Sequence, residues 1–414
     1  MIRFPLRLLV SAALFAGSAG LSWAEDIRID RLKVGEGDEV AELRQVEVMG
    51  SNLSRDEIAA LFAPTTTDAQ RLALAAKLKA SRASIAELIV GDASKGAITV
   101  KGFKLESVDQ GRVGLVGFEA VDSGPMIDGV PGSVRSGPLR IEDIDLSSVL
   151  RAIASKSSSE LAPKARRISW RDIEVHAPDD DTPATAVGGN LVKLRVGLFE
   201  SEADFDGDMF LKGRGRMNNF MLEFPRASEE GRVLASLGYE RLDLGASWNA
   251  GFDPKSRVLS LEDFTLSGAG IGGVTLRLQI GNLDPSQLKG PQELQLLALL
   301  NTQFISTELV INNAGIFEKG VQALATEQGK KPDELRQEAS ATVMQFTPLL
   351  MGGDPSSLQI AGAVGEFIKN PKSLNLSVKA KGAPLAFSSI NMGNPMGLLQ
   401  LVTITASANG AAPR

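Results

Sequence analysis

One eight-residue phrase, apolar at its first, third, sixth and eighth positions, recurs along the chain. Its copies are IRIDRLKV at 27, ITVKGFKL at 98, VGLVGFEA at 113, LRIEDIDL at 139, ISWRDIEV at 168 and LSLEDFTL at 259. Alternation with period two is the pattern of a strand with one buried face, and one extra residue in its middle marks a bulge or a tight kink. The central pairs are Asp-Arg, Lys-Gly, Val-Gly, Glu-Asp, Arg-Asp and Glu-Asp. They are mostly polar or Gly, so each strand is expected to bend away from the core there. The intervals between copies are irregular, which argues against a strict solenoid.

The expected fold is therefore α+β and β-dominated: a long curved antiparallel sheet of bulged strands with helices packed on it and a helical C-terminal part. Forty-two glycines and an aromatic content of only 5% fit many tight turns between such strands. Within the phrase, Ile141, Ile144, Trp170, Ile173, Leu261 and Phe264 are assigned to one apolar surface, either a closed core face or an open groove. Glu142, Arg171 and Glu262 are assigned to solvent or to the bend. Trp170, Trp248 and Tyr239 sit in strand-like runs, where core packing is the default.

Helical signals interrupt the sheet in three places. Residues 54–90 are expected to hold two or three short helices, with Ser54 and Glu57 in capping-box spacing and Thr67 and Asp68 able to cap the next. IDLSSVLRAIA, 144–154, reads as a strand end running into a helix. In PDELRQEASATVMQFTPLL the residues Leu335, Ala339, Val343, Phe346 and Leu350 form one helical face, with Pro332 in its first turn, and AGIFEKGVQALATEQG precedes it and ends at Gly329. LNLSVKA, 374–380, and PLAFSSI, 384–390, return to strand. The implied organisation is 1–24 signal peptide, 25–290 β-rich curved sheet with the helical insertion 54–90, and 291–414 α+β C-terminal region.

The first 24 residues set the expected compartment. Arg3 and Arg7 precede the apolar run Leu8 to Leu21, and Ser22-Trp23-Ala24 places small residues at the −3 and −1 positions of a cleavage site. This is the pattern of a secretory signal peptide cleaved after Ala24. The run is shorter and more polar than a spanning helix, and no transmembrane segment is expected in the mature chain. Loss of the two arginines takes the formal charge from −6 to −8, which disfavours nucleic acid as a partner. No cysteine is present, so neither a disulfide framework nor a thiolate metal site is expected. A periplasmic location fits best, secretion second.

Three features resemble chemistry. Gly268, Gly270 and Gly273 have the spacing of a dinucleotide-binding loop, but such a loop needs a helix after it, and here the alternating VTLRLQI follows. The segment reads as a hairpin turn, and a second hairpin is expected where Asp109-Gln110-Gly111 links ITVKGFKL to VGLVGFEA. His176, beside Asp179, Asp180 and Asp181, is the only histidine and reads as a solvated loop residue, without metal-ligand spacing or a nearby nucleophile elbow. Asp204, Asp206 and Asp208 alternate in EADFDGD and depart from the EF-hand pattern, so a solvated strand face is expected. No catalytic, cofactor or metal residues are assigned, and an enzyme is not expected.

LRIEDIDL, LSLEDFTL and GIGGVTLRLQIGNL, spread over residues 98–290, give the chain a resemblance to the proteobacterial envelope proteins related to AsmA and YdgA. The resemblance implies an apolar groove or packed concave face able to take lipid acyl chains, and a role in outer-membrane maintenance. Cleavage of the N-terminal helix departs from that pattern and implies a soluble carrier or accessory protein. The partners expected on this basis are phospholipid or another envelope lipid, or envelope proteins. The other expectation is a non-enzymatic structural or interaction protein of the periplasm with a closed core and no ligand.

Overall fold

A computed structural model describes residues 25–34, 40–62, 66–91, 96–127, 130–145, 164–183, 185, 189–207, 209–285, 292–389 and 395–410. The fold is α+β and β-dominated, its strands pair antiparallel, and contacts divide it into two compact units. Unit 1 comprises 1–202 with 221–228, and unit 2 comprises 203–220 with 229–414, so the division falls well before residue 290.

Unit 1 contains β1 (Glu25–Val34), β2 (Ala41–Ser51), α1 (Arg55–Phe62), α2 (Asp68–Ala75), β3 (Lys79–Val90), β4 (Ile98–Asp109), β5 (Arg112–Phe118) and β6 (Ala120–Asp122). It continues with the short pair β7 (Met126–Ile127) and β8 (Val130–Pro131), then β9 (Ser133–Ser136), β10 (Leu139–Asp145) and β11 (Lys164–Pro178), and most of β12 (Leu191–Asp206). Neighbours run β1, β2, β3, β4, β5, β10, β11, β12, with β6 and β9 bridging β4 to β11.

The kinks predicted by the phrase lie in two rows that cross the strands. In the first, Gln45 of β2 (φ 51°), Ala86 of β3 and Gly102 of β4 (φ 62°) stand at one level, each skipped by the regular register. In the second, Ser81, Ser107 (φ 55°), Gly114, Asp143 (φ 49°) and Arg166 are skipped in the same way on β3, β4, β5, β10 and β11. Asp172 of β11 (φ 51°) faces Gly197 of β12 in a like position. A single left-handed residue turns the next side chain back to the face it would otherwise leave. Inward residues therefore step by two and then three: Ala41, Leu43, Val46, Val48 and Ser51 are buried on β2, and Val100, Phe103, Leu105 and Val108 on β4.

VGLVGFEA departs from the assigned register. Its kink is at Gly114, not Gly117, so Val113, Val116 and Phe118 enter the core cluster while Leu115 pairs with Glu106 and Glu142 on the other face. Gly117 is needed for close approach, since a Cβ there would lie 2.8 Å from the Leu139 carbonyl oxygen.

The insertion also differs from expectation. α1 and α2 are helices, held by reciprocal caps between Ser54 and Glu57 and between Thr67 and Gln70. SRASIAELIV, however, is part of strand β3, where Ala80, Ala83, Ile85, Leu88 and Val90 are buried. The 3-2-3-2 spacing imposed by the two kink rows imitates a helical face. Ile58 and Leu61 of α1 and Leu74 of α2 pack into the cluster formed by the inward residues of β1 to β5 and β10, which closes this core.

Unit 2 contains most of β13 (Met209–Glu223), then α3 (Glu229–Ser236), β14 (Leu242–Asp253), β15 (Val258–Gly268), β16 (Gly272–Gly281), α4 (Gln292–Asn301) and β17 (Gln303–Asn313). It ends with α5 (Ile316–Gln328), α6 (Pro332–Leu350), α7 (Pro355–Lys369), β18 (Ser373–Ala380), β19 (Leu385–Ala386), α8 (Pro395–Leu401) and β20 (Val402–Ala408). From β14 the strand order is β14, β15, β16, β17, β18, β20, and β19 pairs with the start of β17.

Both expected hairpins are present, β4–β5 turning at Gln110 and Gly111 (φ 51° and 86°) and β15–β16 at residues 269–271. Pro332 opens α6, and Gly329 ends α5 in the left-handed conformation. PLAFSSI is strand only at Leu385 and Ala386, after which Phe387–Ser389 forms a 3-10 turn. The outer strand on β18 is instead β20, whose short VTITASA was not recognised in the sequence. Of the segment 144–154, Ile144 and Asp145 end β10 and the rest lies outside the described residues.

Candidate functional site

Cross-strand register in unit 2 sorts the side chains of β14 to β20 onto two chemically opposite faces. On one face they stack in apolar rows perpendicular to the strands. Trp248, Phe264, Leu276, Leu309, Leu376 and Ala406 form one row. Ala250, Leu261, Leu278, Thr307, Val378 and Ile404 form the next, while Ala246, Leu266, Val274, Ile311 and Leu374 flank the first on its other side. Such ladders arise because paired residues on antiparallel strands project to the same side.

This face is covered at one end and open at the other. At the β18–β20 end Leu374 and Ala406 are buried. Toward β15 and β16, Leu261, Leu276, Leu278, Leu309 and Leu376 are only half-buried, and Phe264, Leu266 and Val274 are exposed. A contiguous run of exposed large apolar side chains is uncommon on a protein surface and marks a contact with something apolar.

The opposite face is polar and internally paired. It holds a groove of about 690 Å³, bordered by Arg277, Glu308, Asn375, Lys379 and, from α7, Gln359. Arg277 Nη1 donates to Glu308 Oε2 at 2.9 Å and Asn375 Nδ2 to Glu308 Oε1 at 2.9 Å. Desolvation raises the Glu308 pKa, but these two donors outweigh it and hold the carboxyl below its usual range. Thr265 and Thr275 share a 2.8 Å hydroxyl contact on the same face. Glu308 is thus committed to its neighbours rather than aimed at a ligand.

The six residues assigned to one apolar surface fall into two settings. In unit 1, Ile141 pairs with Ile168 and Ile173 with Val196, Ile144 is a core residue, and Trp170 meets Phe118 edge-on with ring centroids 6.2 Å apart. Among the described residues no acceptor meets the buried Trp170 indole nitrogen, so this tryptophan acts through its apolar surface. Leu261 and Phe264 lie in unit 2, on its open face. Trp248 joins them as the partner of Phe264, and the contributions of β17, β18 and β20 to that face were missed. Simple alternation in TELVI, LNLSV and VTITA was their only signal in the sequence.

The remaining candidates are placed as follows. His176 is in strand β11 and not in a loop; its Nδ1 lies 3.2 Å from Ser133 Oγ and its Nε2 3.1 Å from Glu174 Oε1. Asp204 pairs with Lys212 at 3.2 Å, Asp206 is exposed at the end of β12, and Asp208 lies outside the described residues. Among the described residues no group of three or more His, Asp or Glu side chains could hold a metal ion. Tyr239 is not a core residue: its hydroxyl donates to the Gly270 carbonyl at 2.6 Å and Lys319 Nζ lies 3.5 Å from its ring centroid, fixing the β15–β16 turn. Among the described residues no helix is long and apolar enough to cross a membrane.

Fold and site together define a β-dominated α+β protein with one closed apolar core and one open apolar sheet face. A family model described as "Uncharacterized protein" matches residues 265–409, from within β15 to just past β20, which spans most of the open face. No curated protein matches the chain.

Proposed function

We propose that this is an exported, non-enzymatic envelope protein that binds the acyl chains of a lipid on the open face of unit 2 and so supports outer-membrane maintenance. One observation carries the reading: Trp248, Phe264, Leu276, Leu309 and Leu376 form a continuous apolar row that the protein itself leaves half-covered. An acyl chain laid along such rows buries apolar area on both partners, at roughly 25 cal/mol per Å². Among the described residues the rows carry one polar side chain, Thr307, whose hydroxyl is already donated to the Arg277 carbonyl, which fits lipid as a class better than one particular small molecule. The resemblance to AsmA- and YdgA-related proteins points the same way, and the N-terminal segment Met1–Ala24 fits delivery by a cleaved signal peptide.

The test is native mass spectrometry and lipid extraction of the chain beginning at Glu25, alongside a Leu276→Asp variant. Phospholipid is expected with the unaltered chain and much less with the variant. Absence of lipid from a folded unaltered chain that also fails to bind a fluorescent fatty acid would refute the reading.

A further inference from the structure

His176, the only histidine in the chain, stands between two side chains that give its ring nitrogens different work. Its Nε2 lies 3.1 Å from Glu174 Oε1, two residues back on the same face of β11, and its Nδ1 lies 3.2 Å from Ser133 Oγ on β9. A carboxylate can only accept, so the Glu174 contact places the proton on Nε2 and leaves the Nδ1 lone pair facing the Ser133 hydroxyl. Register builds this line, because Ser133 is the direct cross-strand partner of His176. Gly132 allows the close approach: a Cβ there would lie 2.9 Å from the His176 carbonyl oxygen. On its other edge β9 is held by Ser123, whose Oγ accepts from the Val134 amide at 2.7 Å and whose amide donates to the Val134 carbonyl at 2.9 Å. Ser133 is thus carried on backbone anchored from both sides.

A hydroxyl within about 2.6 to 3.2 Å of an imidazole that a third group orients is the arrangement of an activated nucleophile. Its surroundings are positive. Lys193 of β12 stands opposite His176, while Arg195 of β12 and Arg135 of β9 stand opposite Glu174. Such cations favour the negative charge that develops on a carbonyl oxygen under attack. The site is also within reach of a reagent, since the His176 and Glu174 side chains are 27% and 43% exposed. We infer that Ser133, His176 and Glu174 form a nucleophilic site that takes an acyl group from an ester, with Ser133 as nucleophile, His176 as base and Glu174 as positioning residue. In that step Ser133 Oγ bonds to the acyl carbon and its proton passes to His176 Nδ1. The ester C–O bond breaks, and the departing oxygen takes the proton from Nδ1. One acyl group is held per chain as a Ser133 ester, without turnover, which is compatible with the non-enzymatic reading above. All three residues lie in unit 1, so the site does not depend on the open face of unit 2.

The experiment treats the chain beginning at Glu25 with p-nitrophenyl butyrate, follows nitrophenol release, and locates the butyryl group by mass spectrometry of peptides. Release of one equivalent and a butyryl ester at Ser133 are expected. Ser133→Ala should abolish both. His176→Gly should slow the release at least about 100-fold, the contribution of a positioned base. Added imidazole should then restore most of the lost rate, which a merely structural role for His176 would not allow. Glu174→Gln, similar in shape but uncharged, should also slow the release, with Ser133 still the modified residue. Melting curves establish that each variant is folded. A folded unaltered chain that takes no butyryl group at Ser133, or acylation confined to lysines, would overturn the inference. So would a folded His176→Gly chain that is acylated as fast as the unaltered one.

Discussion

Ile144 and Phe264 occupy the same sixth position of the repeated phrase, yet Ile144 is 5% exposed and Phe264 39%. Ile144 pairs with Val113 on β5 within the core cluster that α1 and α2 join, whereas Phe264 pairs with Trp248 and Leu276 on a face left open. The phrase sets which way a side chain points, and the elements packed over it decide whether that side is closed.

That contrast predicts opposite mutational behaviour. Ile144→Ala should cost about 2 to 5 kcal/mol, because it leaves a cavity in a closed core. Phe264→Ala should cost only about 1 kcal/mol and instead weaken phospholipid binding, because its apolar area is covered by ligand and not by protein. Glu262→Ala, at the exposed bend, should stay within about 0.5 kcal/mol. Denaturant melts with and without phospholipid check all three, and an equal loss at Ile144 and Phe264 would mean that the unit 2 face is closed.

The β15–β16 turn separates backbone geometry from cofactor chemistry. Gly270 has φ 69° with open space at its Cβ position, so Gly270→Ala should cost about 1 to 2 kcal/mol, the strain of a left-handed residue. Gly272 has φ 125°, and a Cβ there would fall 2.2 Å from the Asn312 carbonyl oxygen, so Gly272→Ala should cost more. Neither NAD nor ATP should raise the melting temperature. A clear nucleotide-dependent shift would restore the dinucleotide reading.

The elements most legible in the sequence were those obeying one simple period. α5 and α6, with Gly329 and Pro332 as punctuation, and the hairpins around Gln110–Gly111 and residues 269–271 follow directly from residue type. β3 was misread because the kinks at Ala86 and Ser81 give its inward residues an average step of two and a half, between the strand and helix periods. The kink residues are themselves hard to read: Gln45, Ser107, Asp143 and Asp172 adopt positive φ without being glycine. In VGLVGFEA two glycines compete for the kink, and only the register with β4 and β10, which pairs Gly117 and skips Gly114, decides between them. Of the candidate site, Leu261 and Phe264 are visible in the sequence as members of the repeated phrase. The openness of the site is not, because the cover of unit 1 comes from Ile58, Leu61 and Leu74, far from the phrase it protects.

Export makes a separate prediction. In a Gram-negative host, N-terminal sequencing of the periplasmic chain should begin at Glu25, and Ala24→Leu should cause precursor to accumulate because the peptidase accepts only small residues at that position. A periplasmic chain beginning at Met1 would exclude cleavage.

The charged outer surface of β1 to β3 should report on acid stability. Glu42 receives Arg31 Nη2 and Arg44 Nε at 2.6 Å each, and Arg44 Nη1 reaches Glu87 at 2.6 Å, so one carboxylate joins β1 to a chain of pairs across β2 and β3. The hydrogen bonds from Arg31 and Arg44 hold the Glu42 pKa down to about 2, against an ordinary 4.5. A carboxyl with a folded-state pKa below its unfolded value contributes stability that is fully present above about 4.5 and is lost as pH falls toward about 2. Glu42→Gln should therefore lower the melting temperature near neutral pH, and the difference from the unaltered chain should narrow below about 4.5 and close near 2. Because the pair is partly solvated, added salt should shrink the same difference at neutral pH. Melting curves of both chains across that pH range provide the measurement. A gap that stays constant down to the lowest pH would show that Glu42 acts by packing and not by charge.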